Sequence, residues 1–299
     1  MHKISITPSS FGGSSNRALD LLSSNFSIIS TNKHGRRLTK NETINILGDC
    51  SGVIAGLEIY DEEVFKNCPK LRVISRLGIG TDNIDFDAAK KYNVQVLNTP
   101  DEPAYAVAEM TLSMMLFFSK NINFFNKNTH NKFWEKKINK SLKNSNILII
   151  GYGRIGQYLN TFLKPFGANI MISDPLFKDL SNYVDLNDGI KKADFISLNA
   201  NTEKTIIDKD QFKLLKRGVV ILNPSRQVLI NTELVIDYVN KNIIRNIWFD
   251  AFTKEPYKGS MIGVKNIYLT PHISTYTDVC RKNMEMKAAT NLINHFENE

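Results

Sequence analysis

The sequence predicts an α/β protein of two domains, each a parallel sheet covered by helices on both faces. Two features carry that reading. Short β-type runs alternate with helix-compatible segments along the chain, and apolar runs in its second half each end in a polar or glycine-rich cap. A length of 299 residues suits two domains with a core apiece.

In the first hundred residues the strand candidates are 3–7, 27–31, 52–57, 72–77 and 95–97. Helix-compatible pieces at 17–24, 40–47, 61–67 and 86–92 lie between them. The turn Arg76-Leu77-Gly78-Ile79-Gly80-Thr81-Asp82 has two glycines beside an arginine. It reads either as a backbone cradle for a carboxylate or as an ordinary glycine turn after a buried strand. Residues 103–121 form a helix apolar on most sides, hence buried between domains or at a subunit interface. Its methionines read as adaptable packing. The basic stretch 130–143, carrying Phe133 and Trp134, is either an arm on a partner subunit or a solvated loop pinned by an aromatic.

The second half opens with Ser145-Asn146-Ile147-Leu148-Ile149-Ile150, which runs into Gly151-Tyr152-Gly153-Arg154-Ile155-Gly156. This is G-x-G-x-x-G between a strand and a helix. The first glycine allows the tight turn, the second lets backbone approach a pyrophosphate, and the third permits close helix–strand packing. Asp174 closes the next apolar run, near the distance expected of the acid that binds the adenosine ribose hydroxyls. A carboxylate there repels a 2′-phosphate, so the cofactor is read as NAD rather than NADP. Later runs end at Asn199, at Asn223 to Arg226, at Asp250 and at His272. In a doubly wound sheet the ligand lies outside the carboxyl ends of the strands, which gathers Gly153, Asp174, Asn199, Arg226, Asp250 and His272 along one edge. Residues 279–296 read as a final helix.

Three groups at the last strand ends suit a hydride transfer coupled to a proton transfer. His272 has a side chain that titrates near neutral pH. Glu255 can orient that imidazole and favour its charged form. Arg226 presents a planar fork matched to a carboxylate and its neighbouring carbonyl. Each alone reads as easily as a surface, helix-start or core residue; together beside a dinucleotide fingerprint they read as an active site.

Composition narrows the classes. The 38 basic and 30 acidic residues give a net charge of +8, spread without a dense basic block, so nucleic-acid binding is not expected. The excess reads as compositional bias or as a general attraction of anionic ligands. Three cysteines without paired spacing suggest a reducing compartment and no metal site. The amino terminus lacks a signal-peptide core and no apolar run has membrane-spanning length, so a cytoplasmic protein is expected.

The chain also resembles a known family. The ordered set Gly78-Ile79-Gly80-Thr81-Asp82-Asn83-Ile84-Asp85, Val107-Ala108-Glu109, Gly151 to Gly156, Asn223-Pro224-Ser225-Arg226, Asp250-Ala251-Phe252, Glu255-Pro256 and Thr270-Pro271-His272-Ile273 is similar to that of the D-2-hydroxyacid dehydrogenases, in particular their phosphoglycerate dehydrogenase-like branch. The resemblance implies a Rossmann-type nucleotide domain (100–275) inserted into a smaller flavodoxin-like substrate domain (1–99 and 276–299). It implies an Arg226–Glu255–His272 triad, a small 2-hydroxy or 2-keto acid as substrate, and a homodimer built mainly through the nucleotide domains. Arg154, Ile155 and Asp174, with the glycines, would contact the adenosine and pyrophosphate half of NAD. Ala200, Pro224, Ser225, Arg226, Asp250, His272, Ile273, Ser274 and Thr275 would lie towards its nicotinamide half, and Asn199 joins the cofactor contacts by its place at a strand end. Arg76 and the backbone of Gly78, Ile79 and Gly80 would face the substrate carboxylate.

Three departures stand out. Gln227 replaces the usual glycine after the arginine, Asn199-Ala200-Asn201 replaces His-x-Pro, and Ala55-Gly56-Leu57-Glu58 stands where phosphoglycerate enzymes often place an arginine. The last weakens 3-phosphoglycerate as substrate. With Glu299 the last residue, no separate regulatory domain is expected. The resulting expectation is an NAD-dependent oxidoreductase interconverting a D-2-hydroxy acid and its 2-keto acid. The alternatives are an NAD(H)-sensing co-repressor-like protein and a glyoxylate or hydroxypyruvate reductase.

Overall fold

Runs rich in isoleucine and valine, each followed by a capped helix, become parallel strands throughout this chain. The computed structural model describes residues 1–298. It divides into two units, one comprising Met1–Pro103 with the chain from Tyr276 onward, the other Ala104–Thr275.

In the first unit β1 (Lys3–Ile6), β2 (Ser27–Thr31), β3 (Gly52–Ala55), β4 (Val73–Arg76) and β5 (Gln95–Leu97) pair in parallel in the order β2-β1-β3-β4-β5. That is the flavodoxin-like order. Between them run α1 (Arg17–Asn25), α2 (Lys40–Leu47), α3 (Glu62–Asn67) and α4 (Phe86–Lys91). Polar caps start three of these helices. Thr39 and Glu42 make a capping box, and Asp61 and Asp85 accept the amides of Val64 and Ala88. Val53, Ala55 and Ile74 of the sheet meet Leu47, Val64 and Ala88 in one core. The C-terminal helix (Asp278–Glu297) packs with α1 and against β3 and β4.

In the second unit α5 (Glu102–Ser119) and α6 (Ile122–His130) precede β6 (Asn146–Ile150). Then follow α7 (Arg154–Leu163), β7 (Asn169–Ser173), α8 (Leu186–Lys192), β8 (Phe195–Leu198), α9 (Lys209–Leu214), β9 (Val219–Asn223), α10 (Thr232–Asn240), β10 (Ile244–Phe249) and β11 (Ile267–Leu269). The all-parallel order is β11-β10-β9-β8-β6-β7. Alternation along β6 shows the double winding. Ile147 and Ile149 join a core with Met115 and Phe118 of α5 and Leu159 of α7. Leu148 and Ile150 face the opposite way, towards Ile190 of α8, Phe212 of α9 and Val235 of α10. Each such fully buried aliphatic side chain contributes roughly 1.5–3 kcal/mol. The strand expected beyond β7 in a Rossmann half is reduced to one parallel bridge between Tyr183 and Ile172.

Two local expectations change. The run 52–57 leaves the sheet at Ala55, because Gly56 donates its N–H to the Glu58 carboxylate and to the Thr7 hydroxyl. The long helix ends at Ser119, Asn121 turns left-handed (φ 50°), and the unanticipated α6 begins. Its three asparagines, with β-branched Ile122 and Thr129, hide it from a propensity reading. The following residues 131–145 have neither helix nor strand.

Candidate active site

β6 is the switch point of the second sheet. The chain leaves it for β7 on one side and returns to β8 on the other, which opens a crevice at the carboxyl ends. The three glycines differ in what they permit. Gly151 has φ +86°, and a Cβ there would lie 2.5 Å from the backbone nitrogen of Ala200. A Cβ on Gly156 would meet the Gly151 carbonyl oxygen at 2.4 Å, so helix and turn touch there. At Gly153, the N-cap of α7, a Cβ would meet nothing within 4 Å. The first backbone bond of α7 runs from Gln157 to Gly153 (3.0 Å), so the amides of Arg154, Ile155 and Gly156 precede the helical ladder. Asp174, at the end of β7, accepts the amides of Tyr152 (2.7 Å) and Leu176 (2.9 Å), which fixes its carboxylate against the glycine turn. This donor set and open cradle fit the pyrophosphate of NAD.

Farther along the same edge, Glu255 and His272 come together. His272 Nδ1 lies 3.0 Å from Glu255 Oε1 and 3.2 Å from Oε2. A carboxylate only accepts, so Nδ1 carries the proton and Nε2 is left for other chemistry. Glu255 Oε1 also accepts the Phe252 amide at 3.0 Å. Burial works to raise the Glu255 pKa but is outweighed by the His272 hydrogen bond and charge, the Phe252 amide and the charge of Arg226, so the carboxyl titrates below its usual range. The Arg226 charge acts on the Glu255 carboxyl in the same lowering direction. Arg226 Nη1 also donates to the Ser225 carbonyl at 3.0 Å.

His272 has φ +55°, a left-handed conformation unusual for a residue with a side chain. Asp250 holds it there. The His272 amide bonds to the Asp250 carbonyl (2.9 Å), and the Asp250 carboxylate accepts the amides of Ile273 (3.0 Å) and Ser274 (2.9 Å) together with the Thr270 hydroxyl. Asp250 is 1% exposed and spends its acceptors on this loop. Ser274 Oγ is buried without a hydrogen-bond partner beside it, a polar atom that a bound carboxamide could satisfy.

The other expected residues fall as follows. Asn199 is buried at the end of β8; its amide bonds to Ile150 and its side chain to Ser197. Ala200 packs against Gly151. Pro224 and Ser225 lie in a turn clamped by Asn223, which sequence reasoning passed over as a site residue. Its Nδ2 donates to the Arg226 carbonyl (2.8 Å) and its Oδ1 accepts the Ser225 amide (3.2 Å). Asparagine before proline at a strand end signals such a turn. Gln227 begins a short 3-10 turn, Gln227–Leu229, and is not among the positive-φ residues, so the turn has no need of glycine at this position. Thr275 ends the second unit. In the first unit, Arg76 is buried, donates to the Leu77 carbonyl, and lies over Gly78 (φ +145°) so closely that a side chain there would meet the guanidinium. The Gly78 and Ile79 carbonyls are held by the Thr99 amide (3.1 Å) and by Asn98 Nδ2 (2.9 Å). Cys50, Cys68 and Cys280 are free and buried.

Known proteins are similar to this chain in sequence and in fold. The model for the D-isomer specific 2-hydroxyacid dehydrogenase NAD binding domain matches residues 112–274, more than half of the chain. A D-3-phosphoglycerate dehydrogenase of Methanocaldococcus jannaschii is 32% identical over 260 residues, which are 82% of this chain and 49% of the relative. A glyoxylate reductase of Thermococcus litoralis is 31% identical over 252 residues, 78% of this chain and 76% of that protein. The chain therefore spans about half the length of the first and three quarters of the second. The apo structure of D-lactate dehydrogenase from Escherichia coli shares the fold with a TM-score of 0.84 at 22% identity, covering 99% of this chain and 98% of that one. The glycine fingerprint thus sits in an NAD-binding domain, and the chain belongs to the D-isomer specific 2-hydroxyacid dehydrogenase family.

Proposed function

We propose that this protein interconverts a D-2-hydroxy acid and its 2-keto acid, with Arg226, Glu255 and His272 as its catalytic residues. The observation that carries the reading is the Glu255–His272 pair, held by Asp250 on the strand-end edge that also bears the glycine fingerprint. NADH, when bound, supplies the hydride for C2 of the keto acid. His272 Nε2 delivers a proton to the carbonyl oxygen and in the reverse direction takes it from the hydroxyl. Glu255 keeps Nδ1 protonated and stabilises the imidazolium. Arg226 binds the carboxylate and polarises the carbonyl as charge develops on its oxygen. Arg154, Ile155 and Gly156 offer amides to the pyrophosphate, Asp174 the ribose contact, and Ala200, Pro224, Ser225 and Ser274 line the nicotinamide side. Within the first unit, Arg76 and the Gly78, Ile79 and Gly80 backbone form a turn suited to an anionic group.

An unphosphorylated acid of glyoxylate or hydroxypyruvate size is favoured by Glu58. This residue is buried at the carboxyl end of β3, where its carboxylate accepts the Thr7 hydroxyl (2.6 Å) and the Gly56 amide (3.1 Å). An acid at that edge repels a phosphate. We further propose a cytoplasmic homodimer. Exposed Phe133, Trp134 and Ile138 in residues 131–145 support the contact with a second copy, and three free cysteines support a reducing compartment.

The test is NADH oxidation by the purified chain against a panel of 2-keto acids with and without a phosphate. Turnover is expected with small unphosphorylated acids. Tight NADH binding with no turnover of any acid would favour a nucleotide sensor instead.

A further inference from the structure

We propose that Gln227 is a positioning residue whose side-chain carbonyl ties the loop bearing Glu255 to the loop bearing Arg226, and so sets the spacing of the acid–imidazole pair and the guanidinium. This rests on the dehydrogenase reading of the edge. Gln227 Oε1 accepts the amide of Thr253 at 3.2 Å, across 26 residues of sequence. The preceding amide, that of Phe252, goes to Glu255 Oε1 at 3.0 Å. Two successive N–H groups of one loop are therefore fastened in different directions, one to the carboxylate that meets His272 and one to Gln227.

The other end of this tie is anchored. Gln227 follows Arg226 directly, whose carbonyl is held by Asn223 (2.8 Å) and by the Leu229 amide (3.2 Å). Leu229 is fully buried, and its carbonyl accepts the amides of Ile206 (2.9 Å) and Ile207 (3.0 Å). The Gln227 backbone thus has a fixed seat from which its side chain reaches the neighbouring loop. What the tie requires is an oxygen acceptor at this reach: Thr253 supplies the N–H and the Gln227 side chain meets it with Oε1. Gln227 and Thr253 also line an open groove of about 360 Å³ with Thr205, Asn231 and Glu233. Water can reach the Thr253 amide there once Oε1 is removed, so losing the tie loosens the loop without unfolding the unit.

The experiment compares wild type with Gln227→Met, which keeps length and shape, and Gln227→Glu, which keeps an oxygen acceptor at the same reach. The readouts are steady-state keto-acid reduction, NADH affinity, and amide exchange of residues 251–255. The Met variant is expected to lose about five- to twentyfold in kcat with NADH affinity within about twofold, because small displacements of reacting groups cost rate rather than cofactor binding. Its 251–255 segment should exchange faster, and Gln227→Glu should restore both slow exchange and most of kcat. Wild-type kcat in Gln227→Met, or equal losses in both variants, would overturn the proposal. A wild-type chain that reduces no acid would instead bring down the dehydrogenase reading itself, before any variant is compared.

Discussion

Glu255 sits where burial and attraction oppose each other, and attraction wins. Its side chain is 27% exposed and that of His272 is 36% exposed, so water screens the pair only in part. A carboxyl held below its ordinary pKa of 4.5 contributes stability that is present above that value and lost as pH falls through the lower folded-state one. Glu255→Gln removes this contribution. Thermal melts should therefore show wild type ahead of the variant at neutral pH, with the gap closing below about pH 4. Turnover of the variant should fall about ten- to a hundredfold, since an uncharged partner no longer favours the imidazolium. An unchanged melting gap across that range would mean that the Glu255 carboxyl is not held below its ordinary range. Asp250 shows a different use of an acid. Its carboxylate is consumed in bracing the left-handed backbone of His272, so its part in the site is to aim another residue.

At the scale of elements, the strand–turn–helix of β6 and α7 makes a sharp distinction between two glycines of one motif. Gly151→Ala places a Cβ against Ala200 in a backbone region that L residues avoid, and should reduce both stability and NADH binding. Gly153→Ala meets open space and should fold with a melting temperature within about 2 °C of wild type, yet lose about tenfold or more in NADH affinity. Equal effects of the two on stability would contradict these roles. The same motif explains why so much was readable in the sequence. Strands such as β8 and β11 are short apolar runs with polar ends, and Gly151, at positive φ with the Ala200 backbone packed against it, leaves no room for a side chain. The strand-end rule also places Glu255 and His272 on one edge, although it says nothing of the distance between them. What stayed hidden was of another kind. The α6 segment has weak helix formers throughout, and the Asn223 clamp and the Gln227–Thr253 bond join side chains to backbone without any periodic signal.

For the whole molecule, two parallel-sheet units come from one chain, and the second is resumed into the first through its last helix. The exposed Trp134 lies in a stretch without helix or strand and would be costly to leave in water beside Phe133 and Ile138. For the proposed homodimer, Trp134→Lys should shift sedimentation towards monomer while the fold persists; an unchanged dimer profile would place the contact elsewhere. The central claim, that an imidazole on the strand-end edge moves the proton in a nicotinamide-dependent reaction, is tested most directly by measuring kcat and NADH affinity for wild type and His272→Ala side by side. The variant should bind NADH within about threefold of wild type and lose about a hundred- to ten-thousandfold in turnover. Turnover close to wild type in His272→Ala would contradict it.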